Sequence, residues 1–226
     1  MLALILSDVH GNHGSVEKIA ERVTLAGVKF QLIILAGDIT HFGDVKAAAN
    51  IFKILERTGS DRIFFIPGNC DSRELENFTD DGIVSNIHMR VLKYLDYWFL
   101  GLGGSSPTPF KTLFELSEDE INLILKNLSL KTPDSSKLIT VTHDPPYGTA
   151  VDFNKRGLHV GSRKIREFIL NREPLLHISG HIHEAMGQAF LGRTMLVNPG
   201  SASLGYYTII DIKDGRVNVE FNNAFK

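Results

Sequence analysis

The sequence predicts an α/β protein, and three observations predict it. Short apolar runs alternate with amphipathic stretches in a βαβαβ order through the first half, which requires a parallel sheet with helices on its faces. Closely spaced strand-like runs with short turns fill the chain from Leu175 onward, which implies a second, more antiparallel sheet. Polar residues of metal-binding type recur where the strands end, at the edge where open α/β sheets hold their ligands.

The elements follow in order. Leu2–Leu6 is the first strand, and Ser15 is placed to cap a helix carrying Val16, Ile19, Ala20 and Val23 at i, i+3, i+4, i+7. The five apolar residues Leu32–Ala36 are too few for a helix and read as a buried strand, ended by Gly37-Asp38. Asp44 caps a second helix with Val45, Ala48, Ala49 and Phe52 on one face, and Arg62–Ile66 is a third strand closed by Pro67-Gly68. Two or three short strands are expected across 83–102, where the aromatic-rich segment 94–100 is most simply core. Ser117-Glu118-Asp119-Glu120 is a capping box that opens a helix with Ile121, Ile124, Leu125 and Leu128. A strand at 138–141 leads into a loop over 145–161, after which Ser162 caps a helix with Ile165, Phe168 and Ile169. Strands at 175–179, 185–190, 194–197, 206–212 and 216–221 complete the chain, and Asp214-Gly215 is a hairpin turn. No repeat, low-complexity tract or linker interrupts it, so residues 1–226 are expected to form a single domain.

With 43% hydrophobic and 22% charged residues among 226, the chain has ordinary globular usage, which argues against disorder. The net charge is −2 with both signs interspersed, so there is no basic block to meet a phosphate backbone. Constitutive nucleic-acid binding is therefore not expected. Cys70 is the only cysteine and cannot form an internal disulfide, which fits a reducing cytoplasm. The apolar start at residues 1–6 lacks a basic flank and is interrupted by Asp8 and His10, unlike a signal peptide. No apolar run reaches the ~18 residues of a membrane span. A soluble cytoplasmic protein with no membrane partner is expected.

Asp8 and His10 follow the first strand, Asp38 the second and Asn69 the third. His143 follows the strand at 138–141, and His181 and His183 follow the one at 175–179. Taken singly, Asp8-Val9-His10 reads as a turn with a surface histidine, Gly37-Asp38 as a loop and Asn69 as a turn residue. Seven such residues at five strand ends read as one shared site. Asp38 is its centre, because a carboxylate at the end of a buried strand has two oxygens and reaches two ions at once.

The sequence resembles the calcineurin-like metallophosphoesterase family through five ordered motifs. They are Asp8-Val9-His10-Gly11-Asn12, Gly37-Asp38, Gly68-Asn69-Cys70-Asp71, Thr142-His143-Asp144-Pro145-Pro146 and Gly180-His181-Ile182-His183. Asn198-Pro199-Gly200-Ser201 is similar to a turn of smaller members. The resemblance implies a four-layer α/β/β/α sandwich of two mixed β-sheets flanked by helices. It also implies that Asp8, His10, Asp38 and His183 hold one metal and Asp38, Asn69, His143 and His181 the other. Carboxylate, imidazole and amide oxygen without thiolate suit two divalent ions of Mn, Fe, Zn, Co or Ni, manganese first. Two cations ~3.5–4 Å apart bind a phosphoryl oxygen and acidify a shared water for in-line attack. The implied activity is hydrolysis of phosphoesters by a metal-bound water or hydroxide. Its substrate would be a small phosphoester, with a nucleotide among the options; a homo-oligomer is left open.

The chain departs from the family at Cys70, where many members have a histidine that protonates the leaving oxygen. A thiol of pKa ~8.5 is a poor replacement, so phosphodiesters and other esters with good leaving groups are the expected substrates. On packing alone, Cys70 reads as a small buried space-filler. Cys70 and Asp71 are carried as catalytic candidates, and Asn12 and His159 as substrate-binding ones. His159 qualifies because its loop leaves the same sheet edge as His143. His13 and His41 lie in loops just after metal motifs, within reach of ligands or substrate; His177 is expected in the core and His88 on a strand surface. Two readings compete with the small-substrate hydrolase. One is a protein-interaction scaffold on the same fold, like the retromer subunit that resembles these phosphoesterases, which a full ligand set disfavours. The other is a nuclease, which the lack of a basic groove disfavours.

Overall fold

The computed structural model describes residues 1–78, 82–132 and 135–226. Its strands are β1 (Leu2–Leu6), β2 (Leu32–Ala36), β3 (Arg62–Ile66), β4 (Val84–Asn86), β5 (Val91–Tyr94) and β6 (Tyr97–Leu102). They continue with β7 (Leu138–Thr142), β8 (Leu176–Ile178), β9 (Gly187–Leu191), β10 (Thr194–Asn198), β11 (Tyr206–Lys213) and β12 (Arg216–Asn223). The helices are α1 (His13–Leu25), α2 (Val45–Glu56), α3 (Glu118–Ser129) and α4 (Arg163–Arg172).

The strands form two six-stranded sheets, ordered β12-β11-β1-β2-β3-β4 and β5-β6-β7-β8-β10-β9. Every central strand alternates its apolar side chains between two covered faces, and this dictates the layering. Leu4, Leu6, Ile33, Leu35, Ile63 and Phe65 of the first sheet pack against α1 and α2. Their neighbours Ala3, Ile5, Leu32, Ile34, Phe64 and Ile66 meet Phe99, Ile139, Val141 and Ile178 of the second sheet. The far face of that sheet carries Leu100, Leu102, Leu138 and Leu196 against Ile121, Leu125, Ile165 and Ile169 of α3 and α4. The result is two mixed sheets flanked by helices, an α/β/β/α order.

The helix starts follow from capping. Asp44, Ser117 and Ser162 accept from Ala47, Glu120 and Ile165 N–H, and the Ser117–Glu120 capping box is complete. At α1 the cap is Asn12, whose side chain accepts from Ser15 N–H, so the expected cap Ser15 lies inside the helix. Both residues are good caps; the choice fell to Asn12 because Ser15 is buried and donates its hydroxyl to Ser203 O, 2.8 Å away.

The sequence pattern leads to the expectation of a more antiparallel second sheet, and the structure corrects it. Each sheet has three parallel and two antiparallel pairings. The final hairpin joins the first sheet, where β11 lies antiparallel beside β1. The reason is that β11 is apolar on both faces: Tyr207 and Ile209 face the α1 side, while Ile210 and Ile212 face the second sheet. Such a strand needs a sheet covered on both sides. His88, expected on a strand surface, is instead buried, with Nδ1 accepting from Gly103 N–H at 2.8 Å.

Parallel β1, β2 and β3 in one sheet and β7 and β8 in the other end at one edge of the sandwich. No helix among the described residues is long and apolar enough to cross a membrane.

Candidate metal centre

The residues that follow these five strands meet. His183 Nε2 lies 3.2 Å from Asp8 Oδ1, and His10 Nε2 lies 3.1 Å from His183 Nε2 and 3.8 Å from Asp38 Oδ2. On the other side of Asp38, His143 Nε2 is 3.4 Å from Asp38 Oδ1 and 3.0 Å from Asn69 Oδ1. The His181 ring stands edge-on to that of His143, with centroids 5.1 Å apart. Ligand-type atoms of Asp8, His10 and His183 form one group within 4.8 Å of each other, and those of Asp8, Asp38 and His143 form a second.

Tight turns make this convergence. Asp8, His10, Asp38 and His181 all have left-handed backbones, with φ of 55°, 48°, 50° and 67°. That conformation is uncommon outside glycine, and Asp and His are among the residues that tolerate it best. Its cost, on the order of 1 kcal/mol or more per residue, is characteristic of places where the surrounding structure imposes the geometry for function. Two glycines let the strands close in. A Cβ on Gly37 would strike the His143 ring, and one on Gly68 would overlap Asp38.

The arrangement is electrically incomplete without a cation. His143 Nδ1 faces Ala36 O at 2.8 Å; a carbonyl only accepts, so Nδ1 carries hydrogen. The Nε2 lone pair then points at two further acceptors, Asp38 Oδ1 and Asn69 Oδ1, in full burial. Only a second proton or a metal ion reconciles three electron-rich atoms there. Burial opposes charging His143, but the Asp38 carboxylate outweighs it and raises the imidazole to about 10. Burial likewise opposes ionisation of Asp38, and His143 beside it holds the carboxyl well below its usual range. His183 is raised by its hydrogen bond to Asp8, whereas burial lowers His10 and takes His181 down to about 4. His10 Nδ1 is buried without a hydrogen-bond partner. Carboxylate oxygens, imidazole nitrogens and an amide oxygen are the donor set of a hard or borderline divalent cation, so the residues fit such a group.

Residues with no motif of their own hold this set in place. Thr112 Oγ1 accepts from Asn69 Nδ2 at 3.0 Å, and Ser7 Oγ donates to Ala36 O at 3.1 Å. The Asn198-Pro199-Gly200-Ser201 turn has a function of the same kind. Asn198 Nδ2 donates to Ile182 O at 2.9 Å and Ser201 Oγ to Asp8 O at 2.9 Å, joining the histidine loop to the first strand's end. These partners lie far away in sequence, which left no local signal beyond the turn itself.

The four remaining candidates, Asp71, Asn12, His159 and Cys70, stand at different distances from this group. Asp71, carried as a catalytic candidate, is fully buried and accepts from Gly68 N–H, Ile39 N–H, and both the N–H and the hydroxyl of Thr40. It ties the Asp38 turn to the Asn69 turn and faces no open space. Burial and then the Asp38 charge raise its carboxyl to about 6, against the pull of those four donors. Asn12 caps α1 through Oδ1 and donates Nδ2 to Ser203 O at 2.9 Å, so both ends of its amide have partners within the fold. His159 pairs its Nδ1 with Asp152 Oδ1 at 2.6 Å and stacks on Phe153, centroids 3.9 Å apart. Its loop nonetheless touches the site's border, because Lys155 N–H donates to Glu184 Oε1 beside His183. Cys70 does adjoin the centre: its N–H donates to Asp38 Oδ1 at 2.8 Å, and its sulfur lies within 4.8 Å of ring nitrogens of His10 and His41. Burial, followed by the Asp38 charge, pushes its thiol up. His177 is buried in the core as expected, against the hydroxyls of Thr140 and Thr142.

Known proteins are similar to this chain in sequence and in fold. The model of the family described as calcineurin-like phosphoesterase matches residues 1–185. The uncharacterized protein MJ1162 of Methanocaldococcus jannaschii is 34% identical over 198 residues, covering 86% of this chain and 87% of its own length. Among solved structures, TT1561 of Thermus thermophilus shares the fold at 23% identity, with a TM-score of 0.75 over 99% of this chain and 98% of its own. A dimetal phosphatase from Danio rerio shares it at 11% identity and a TM-score of 0.66, over 99% and 96%.

Proposed function

The chain belongs to the calcineurin-like phosphoesterase family, and from that premise we propose that it is a dinuclear-metal hydrolase of small phosphoesters with good leaving groups. The observation that carries this reading is the trio of His143 Nε2, Asp38 Oδ1 and Asn69 Oδ1, which converge in full burial. In this reading Asp8, His10, Asp38 and His183 hold one ion, and Asp38, Asn69, His143 and His181 hold the other. When bound, such a pair supplies Lewis acidity and a nucleophilic water at neutral pH; manganese is the ion to try first.

The chain's own residues explain the choice of substrate. Ala36 O fixes the His143 tautomer, and His181 N–H lies 3.1–3.2 Å from both carboxylate oxygens of Asp8 and so fixes its rotamer. Cys70, at the position where an imidazole acid would stand, keeps its proton and donates it weakly. Esters whose departing oxygen needs no proton, such as aryl or nucleotide-type diesters, are therefore favoured over alkyl monoesters. The test is manganese-dependent hydrolysis of bis(4-nitrophenyl) phosphate beside 4-nitrophenyl phosphate. Diester turnover that falls at least about 100-fold in Asp38→Asn supports the reading. Both probes release the same nitrophenolate, so monoester preference removes the diester part of the reading and leaves the leaving-group part to an aryl–alkyl comparison. No turnover with bound metal favours a protein-interaction scaffold instead.

A further inference from the structure

The turn after Asp38 ends in an aromatic residue that the fold does not use. Phe42 has φ +57°, a conformation that a bulky side chain rarely adopts. Two ties hold it there. Its N–H donates to Cys70 O at 3.0 Å, and Thr40 before it is anchored to Asp71 through both N–H and hydroxyl. The held ring is not buried by this arrangement; Phe42 is 53% exposed.

Its neighbours lead directly to the centre. The Phe42 ring stands edge to face with the exposed His41 ring at 4.7 Å, and His41 stands likewise against His10 at 5.6 Å. Ring nitrogens of His10 and His41 and the Cys70 sulfur lie within 4.8 Å of one another. An ester held at His10, with its departing oxygen toward Cys70, therefore extends its organic group past His41 toward the Phe42 ring.

We propose that Phe42, with His41 between it and His10, is an aromatic shelf that selects phosphoesters bearing a planar aromatic group, an aryl ring or a nucleobase. This rests on the phosphoesterase reading for the position of phosphorus and adds the chemistry of the group attached to it. Aromatic stacking of this kind is sequence- and substituent-tolerant, because every such ring has a face to offer. The backbone cost of a left-handed phenylalanine is explained by what the ring does once it is held outward.

Phosphonates separate recognition from hydrolysis, since their carbon–phosphorus bond has no departing alcohol. Calorimetry with the manganese-loaded protein would compare phenylphosphonate with methylphosphonate. The shelf predicts binding roughly 3- to 10-fold tighter for the phenyl compound. Phe42→Leu should abolish that margin and leave methylphosphonate unchanged, since leucine keeps the Cβ and apolar character and loses only the ring. Phe42→Trp should restore it. A margin that survives in Phe42→Leu, its absence in the unaltered protein, or failure of either phosphonate to bind would overturn the proposal. Turnover of 4-nitrophenyl esters is measured alongside. A Phe42-dependent margin without turnover would retain the shelf and discard the hydrolase, and turnover without the margin would do the reverse.

Discussion

Thr112 turns the side-chain amide of Asn69. Its hydroxyl donates to Glu115 Oε1 at 2.8 Å, so only its lone pair is left to face Asn69, and it accepts from Nδ2 at 3.0 Å. The Asn69 carbonyl oxygen is thereby directed at His143 Nε2. Thr112→Val removes this constraint while keeping the shape of the side chain. It should weaken manganese binding or kcat/KM by about 10-fold, the scale on which residues behind metal ligands act. Thr112→Ser should recover most of the loss. Equal activity in the valine variant would show that Asn69 orients itself without help.

Cys70→His tests the departing-group argument from the opposite side. An imidazole at this position would carry a transferable proton near neutral pH, where general acid catalysis contributes about 100-fold or more. The expected outcome is a rise of about 10-fold or more in kcat on alkyl monoesters, with little change on nitrophenyl diesters. Steady-state rates on the two substrate classes give the ratio directly. An unchanged ratio would mean that the departing oxygen takes its proton elsewhere.

Asp71→Asn should act on the fold and the site together. The carboxylate accepts four hydrogen bonds from two turns, and an amide would point hydrogens at some of those donors. Leaving buried donors unmet costs about 3 kcal/mol, which urea denaturation would read as a lower midpoint. Because the Gly37-Asp38 and Gly68-Asn69 turns lose their common anchor, metal affinity should fall as well. A stable variant with weakened metal binding would assign Asp71 to positioning alone.

The strands, the helices and the grouping of Asp8, Asp38, Asn69, His143 and His183 at strand ends were legible because each depends on local pattern. Apolar runs of five residues, capping residues and the motif order are properties of neighbours in the chain. What was not legible depends on distant parts. Asp38 gives no sign in sequence that its backbone is left-handed, and Thr112 lies 43 positions from the Asn69 it orients. The pairing of β11 with β1 likewise joins the two ends of the chain, where a pattern of short strands suggests a local hairpin sheet. His88 read as surface because its partner, the Gly103 amide, reaches it from another strand's end. Ser15 read as the cap of the first helix because the partner that takes its hydroxyl, Ser203 O, lies 188 positions away, and the cap is Asn12.

His177 makes stability depend on acidity. Burial takes its imidazole down to about 3, while the unfolded chain takes a proton near ~6.5. The folded form thus binds fewer protons between these values. The contribution of His177 is complete above pH ~6.5 and is lost progressively as the pH falls toward 3, up to about 5 kcal/mol in the limit. His88, lowered to about 4 chiefly by burial, acts in the same direction over a narrower range. His177→Gln keeps a polar group between the Thr140 and Thr142 hydroxyls without a titrating ring. Its unfolding free energy, measured in urea from pH 7 to pH 4, should fall less steeply than that of the unaltered protein. Parallel curves would mean that His177 is protonated in the folded state and that its two hydroxyl partners accommodate the charge.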